Sequence, residues 1–87
     1  MLYEPNTTER HLLLGQLIAT ERHISAVAHK LLRQESMIEE LERRGEDTTY
    51  ARSLLRQLSE MQAMRMADRD RMRAALADPS PPVAGEA

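Results

Sequence analysis

The sequence contains no cysteine, no tryptophan and no phenylalanine, and its only aromatic side chains are Tyr3 and Tyr50. Without cysteine there are no disulfides and no thiolate metal ligands. Two tyrosines cannot build the stacked platform on which single-stranded nucleic acid is held. Glycine occurs only at Gly15, Gly45 and Gly85, so there is no Gly-rich phosphate loop. All four prolines, Pro5, Pro79, Pro81 and Pro82, leave Asn6 to Asp78 free of helix breakers. The longest apolar run, Leu12 to Ala19, is interrupted by Gly15 and Gln16 and falls well short of the roughly 20 residues that span a bilayer. It is also a poor secretory signal, with Glu4 and Glu9 before it and Glu21-Arg22-His23 where a cleavage region is small and uncharged; Ala26-Val27-Ala28 resembles a cleavage triplet by composition alone. A cytoplasmic setting with no membrane partner is expected. A net charge of −2 gives no general attraction to nucleic acid or anionic lipid.

What is present is helix-forming sequence in two halves. The chain divides at Arg43-Arg44-Gly45-Glu46-Asp47-Thr48. Arg43 and Arg44 suit a helix C-terminus, where the backbone dipole favours cations. Gly45 can adopt the left-handed conformation that closes a helix, and Asp47 or Thr48 can cap the next one by accepting a free backbone N–H. Helices joined this tightly run antiparallel. We therefore expect an all-α chain: a loose lead over 1–5, a helix over about 7–44, a turn over about 45–47, a helix over about 48–77, and a disordered Pro-rich tail over 79–87. Asn6 with Glu9 has the spacing of a capping box for the first helix.

A coiled-coil frame runs through Leu13, Leu17, Thr20, Ile24, Val27, Leu31, Gln34, Ile38 and Leu41, seven of nine apolar. Thr20 and Gln34 read first as polar residues tolerated at the edge of the seam; the functional alternative is that they set register or partner number. Gly15 serves either a close helix approach or nothing in particular. In the second half the frame passes through Ala51, Leu54, Leu58, Met61, Arg65, Asp68, Met72 and Ala75. Pairing residues whose numbers sum to about 92 joins Leu41 to Ala51 and Ile38 to Leu54. It also sets Val27 against Arg65 and Ile24 against Asp68, a mismatch that a rotation bringing Met64 and Ala67 inward would repair. Glu39 with Arg43 and Glu40 with Arg44 have the favourable i, i+4 order.

An 87-residue hairpin has a thin core, and the first helix carries a second apolar row: Leu14, Ile18, Ala28 and Leu32, interrupted by Glu21, Ser25 and Glu35. One antiparallel partner covers only one stripe. The sum-of-92 pairing also projects Leu12 and Leu13 beyond the end of the second helix. Leu12, Leu13, Leu14, Ile18, Ala28 and Leu32 are accordingly the expected self-association residues. The architecture expected is an antiparallel coiled-coil hairpin that forms a homodimeric four-helix bundle or a higher oligomer, with another helical protein as a further possible partner.

Reactive chemistry is hard to find. His11, His23 and His29 lack the i, i+3 or i, i+4 spacing of two ligands on one helix face, and no base is placed beside a nucleophile. No enzyme activity, cofactor or metal is expected. The five internal methionines suit an adaptable surface but read first as fillers of an irregular seam. The one basic bias is Arg65, Arg69, Arg71 and Arg73, interleaved with Asp68 and Asp70. The function expected is that of an interaction or scaffolding module, and the alternative is a regulator touching nucleic acid through those four arginines. A bundle holding a metal or cofactor stands third.

Glu21-Arg22-His23-Ile24, Leu41-Glu42-Arg43, the Gly45-x-Asp47-Thr48 turn and Ala67-Asp68-Arg69-Asp70-Arg71 together resemble a group of small uncharacterised bacterial helical proteins of alphaproteobacterial type. The resemblance covers roughly Glu21 to Leu76. It implies a helical hairpin in a bacterial cytoplasm and brings no activity with it. Tyr50 stands where an acidic residue would complete a capping box from Asp47, and Ser25 to His29 are less charged than the pattern.

Overall fold

The computed structural model describes residues 6–77 of the chain. The lead expected over 1–5 and the tail expected over 79–87 lie outside those residues, as do the side chains of Asn6 and Thr7. Two helices fill the described segment, α1 (Asn6–Arg43) and α2 (Thr49–Ala77), and no strand occurs within it. They pack antiparallel, since Arg10 near the start of α1 reaches Leu76 near the end of α2 while Gln34 reaches Ala51. α1 holds 38 residues and α2 holds 29, so the hairpin is a narrow rod about 57 Å along α1 at about 1.5 Å per residue.

The turn follows from local chemistry. Gly45 has φ 72°, a left-handed conformation open to glycine without penalty. Its N–H donates to the Glu42 carbonyl at 3.0 Å, and the Glu46 N–H donates to the Leu41 carbonyl at 2.9 Å. These two bonds form a Schellman closure, which satisfies carbonyls that the end of α1 would otherwise leave free. Thr48 then takes the N-cap position, its carbonyl accepting the first bond of α2 from Arg52 N–H at 2.8 Å. Asp47 helps from one residue earlier: its Oδ1 accepts the Thr49 N–H at 3.0 Å and the Thr49 hydroxyl at 2.8 Å. Those donors favour the charged carboxylate, the backbone N–H most, and hold the Asp47 carboxyl below its ordinary pKa. Arg52 ties the two helices across the turn, donating to the Thr48 hydroxyl and to the Glu42 carboxylate.

All nine seam positions of α1 face α2. Leu17, Val27, Gln34 and Ile38 are buried, and Leu13, Thr20, Ile24, Leu31 and Leu41 are half-buried. Gln34 corrects the expectation of an edge residue, since it lies inside the seam and donates from Nε2 to the Ala51 carbonyl at 2.9 Å. Gly15 is exposed, and a Cβ there would meet nothing within 4 Å, so no close helix approach depends on it.

In α2 the phase differs from the expected frame. Ala51, Leu58, Arg65 and Met72 face α1, but Met61 and Ala75 are exposed, and Gln62 and Leu76 are covered in their place. Met64 and Ala67 are exposed as well, so the helix is turned the opposite way from the expected repair. The seam runs 51, 55, 58, 62, 65, 69, 72, 76, with Leu54 and Asp68 half-buried at its border. This phase covers Leu76 instead of Ala75, and places the long aliphatic stem of Arg69 where Asp68 would otherwise bring a short carboxylate. Gln62 is tolerated because its Nε2 donates to the Ile24 carbonyl at 2.8 Å. Exposure of Met61 is the cost.

Register shifts with phase. The sum-of-92 pairing sets Gln34 opposite Leu58 and Gln62 opposite Lys30, yet they bond to Ala51 and Ile24. The flanking ion pairs Glu42–Arg52 and Glu21–Arg73 lie closer to that pairing. On the α1 surface Glu40 takes both Arg43 and Arg44, so the expected Glu39–Arg43 pair is replaced by Glu40–Arg43. Both are exposed pairs of small energetic weight.

Candidate interaction surface

A two-helix rod buries very little. Among the described residues only Leu17, Val27, Ile38 and Ala51 are buried apolar positions, and no large side chain there is fully enclosed. Several large apolar groups instead face outward: Leu12, Leu14, Ile18 and Leu32 on α1, and Tyr50, Met61, Met64 and Met66 on α2. Leu12 and Leu32 keep 64% and 62% of their surface in water. These exposures are large enough to matter, because burying one such side chain is worth roughly 1.5–3 kcal/mol.

Of the expected self-association residues, Leu12, Leu14, Ile18, Ala28 and Leu32 are exposed, whereas Leu13 is half-buried in the hairpin's own seam. The expected overhang of Leu12 and Leu13 is corrected by the register. Arg10 Nη2 donates to the Leu76 carbonyl at 2.9 Å, so the end of α2 lies alongside Arg10. A cation there also suits the negative end of the α2 dipole. Beside this contact Arg10, His11, Leu14 and Leu76 line a groove of about 310 Å³, apolar below and basic at its wall.

Leu14, Ile18, Ala28 and Leu32 lie along one side of α1 at steps of four, ten and four, with Glu21 and Ser25 filling the gap at steps of three and four. Glu21 belongs to the same row and pairs with Arg73 at 2.5 Å. That ion pair shows which flank of α2 borders the row: the flank of Arg52, Ser59, Met66 and Arg73, spaced by sevens. Met61 and Met64 fall on other sides of α2 by the same spacing. The exposed apolar groups thus form a row on α1 that Glu21 and Ser25 interrupt, with Leu12 and Met37 off that row, and scattered positions on α2. Of the described methionines, only Met72 lies half-buried in the seam, while Met37, Met61, Met64 and Met66 are exposed rather than filling it.

The four arginines are not assembled into one free face. Arg65 is half-buried in the seam, with its Nε enclosed and unpartnered. Arg69 is mostly covered and pairs with Asp70 at 3.0 Å, Arg71 pairs with Asp68, and Arg73 reaches across to Glu21. One turn from Arg65, the Gln62 Oε1 is likewise enclosed without a donor. Gln62 is the residue that sequence reasoning missed. The row Leu55, Gln62, Arg69, Leu76 begins and ends in leucine, and that was the available signal.

His11, His23 and His29 are all exposed. Among the described residues no three His, Cys, Asp or Glu side chains stand together as a metal site, and no helix is long and apolar enough to cross a membrane. Gly45, Asp47 and Thr48 serve the turn itself. No family model, curated protein or solved structure matches the chain.

Proposed function

We propose that the hairpin is a non-enzymatic interaction module that acts by self-association, two copies docking helix on helix into a four-helix bundle. The observation that carries this is the exposed α1 row of Leu14, Ile18 and Leu32 on a rod that encloses no large side chain in its described segment. An amphipathic helix with two apolar stripes needs two covering surfaces, and α2 supplies one. The commitment of Arg69, Arg71 and Arg73 to carboxylates favours this role over phosphate binding. The cytoplasmic setting expected from the charge pattern belongs to the same proposal.

Sedimentation equilibrium at micromolar concentration tests it. The wild-type chain is expected at twice its 9.9 kDa mass or more, and Leu14→Glu with Ile18→Glu at the chain mass with its helix content retained. A wild-type monomer at high concentration, still helical, would overturn the bundle.

A further inference from the structure

The exposed row of α1 is His11, Leu14, Ile18, Glu21, Ser25, Ala28, Leu32 and Glu35, with steps that alternate three and four. Read backwards from Glu35, the same alternation recurs. A second α1 laid antiparallel over the first can therefore place every member of the row opposite another member, in the layer geometry of an antiparallel coiled coil. The chemistry matches along with the spacing. His11 falls opposite Glu35, Leu14 opposite Leu32, Ile18 opposite Ala28, and Glu21 opposite Ser25. Each pairing occurs twice, about a two-fold axis level with His23, as an isologous interface demands.

Resting on the self-association reading, we propose that two copies dock through this row, antiparallel, in the one register centred at His23. The residues that interrupt the row are what select the register. Slipping one heptad in one direction puts Ile18 against Glu35 and Glu21 against Leu32. In the other direction Ile18 meets Glu21 and Leu14 meets Ser25. A parallel pairing stacks Glu21 on Glu21 and Glu35 on Glu35, like charges in a partly desolvated seam. Only the centred antiparallel register keeps leucine on leucine and gives each glutamate a donor.

The hairpin supports the same docking in three places. Glu21 does not enter the interface as a bare charge, because Arg73 already holds its Oε2. At each end, the groove of Arg10, His11, Leu14 and Leu76 offers an apolar floor and a basic wall to an incoming Leu32 and Glu35. On α2, Met66 is exposed and stands one heptad from Arg73 on the bordering flank. A pliable side chain there can adapt to the second pair of helices.

The absence of native cysteine makes disulfide mapping clean. Leu14→Cys with Leu32→Cys places two thiols about 27 Å apart along one helix, far beyond the roughly 7 Å that a disulfide allows between Cα atoms. Any bridge between positions 14 and 32 must then join two chains. After mild oxidation and peptide mapping the 14–32 bridge is expected, with 14–14 and 32–32 bridges absent. A second variant, His11→Cys with Glu35→Cys, spares the leucines and is expected to give the 11–35 bridge. Both variants are sedimented reduced and checked for helix content, so loss of an interface leucine is recognised and the second pair decides. Bridges of the 14–14 or 11–11 kind in a chain that still sediments at twice its mass would overturn the register and leave self-association standing. A wild-type monomer would overturn both.

Discussion

Replacing Gln62 by leucine is expected to raise stability, and by more than the same change at Gln34. Both side chains are 7% exposed, and both donate from Nε2 to a backbone carbonyl of the facing helix. Each of those carbonyls lies inside a helix and keeps its own helical donor, so neither substitution strands an acceptor. Losing such a bond costs about 0.5–1.5 kcal/mol. Burying a leucine side chain returns roughly 1.5–3 kcal/mol, so Gln34→Leu should gain on the order of 1 kcal/mol. Gln62 differs in one respect: its Oε1 is enclosed without a partner. Removing an enclosed unsatisfied group recovers a further ~1–3 kcal/mol, which brings Gln62→Leu to about 2–4 kcal/mol. At about 4–8 °C per kcal/mol for a chain of this size, Tm should rise by about 8 °C or more. The assay is thermal and urea denaturation followed by circular dichroism at one protein concentration, because association itself shifts Tm. A Gln62→Leu chain that melts below wild type, or no higher than Gln34→Leu, would refute the account of the seam.

The two described glycines should respond oppositely to alanine. Gly15→Ala is expected to stabilise by about 0.8–1 kcal/mol, since the position is an open helix interior. Gly45→Ala is expected to destabilise by roughly 1–2 kcal/mol, because its φ of 72° is strained for any side chain although space is free; denaturation midpoints of both check the signs. Asp47→Ala should lower Tm at neutral pH, with the difference from wild type fading in acid. The sign follows from the depressed carboxyl pKa: the stabilisation is complete above the unfolded value and is lost as pH falls through the lower folded one, so the change lies below about pH 4. Tm measured from pH 7 to pH 2 tests it, and a difference that persists at pH 2 would mean the carboxylate's charge is not what caps α2. Arg10→Ala should loosen the open end of the hairpin while sparing the turn, visible as faster amide exchange over the last turn of α2.

How much of this protein its sequence determines differs between the two helices. The first helix carries one dominant stripe, seven of nine positions apolar, so a single rotation of α1 is far better than its neighbours and all nine positions do face α2. The turn is equally local: Gly45 can take a positive φ that other residues resist, and its closure needs only nearby carbonyls. The second helix has two near-equal rows one residue apart, Leu54-Met61-Asp68-Ala75 and Leu55-Gln62-Arg69-Leu76. Apolar content favours the first by three positions to two, yet the second is the row covered in α2. The choice depends on what stands opposite: a carbonyl at Ile24 for Gln62, and apolar surface that an arginine stem can cover and an aspartate cannot. Register is decided in the same way, by Gln34 on Ala51 and Arg10 on Leu76. Those groups are brought together by packing between helices, and no periodicity within either helix encodes their distance.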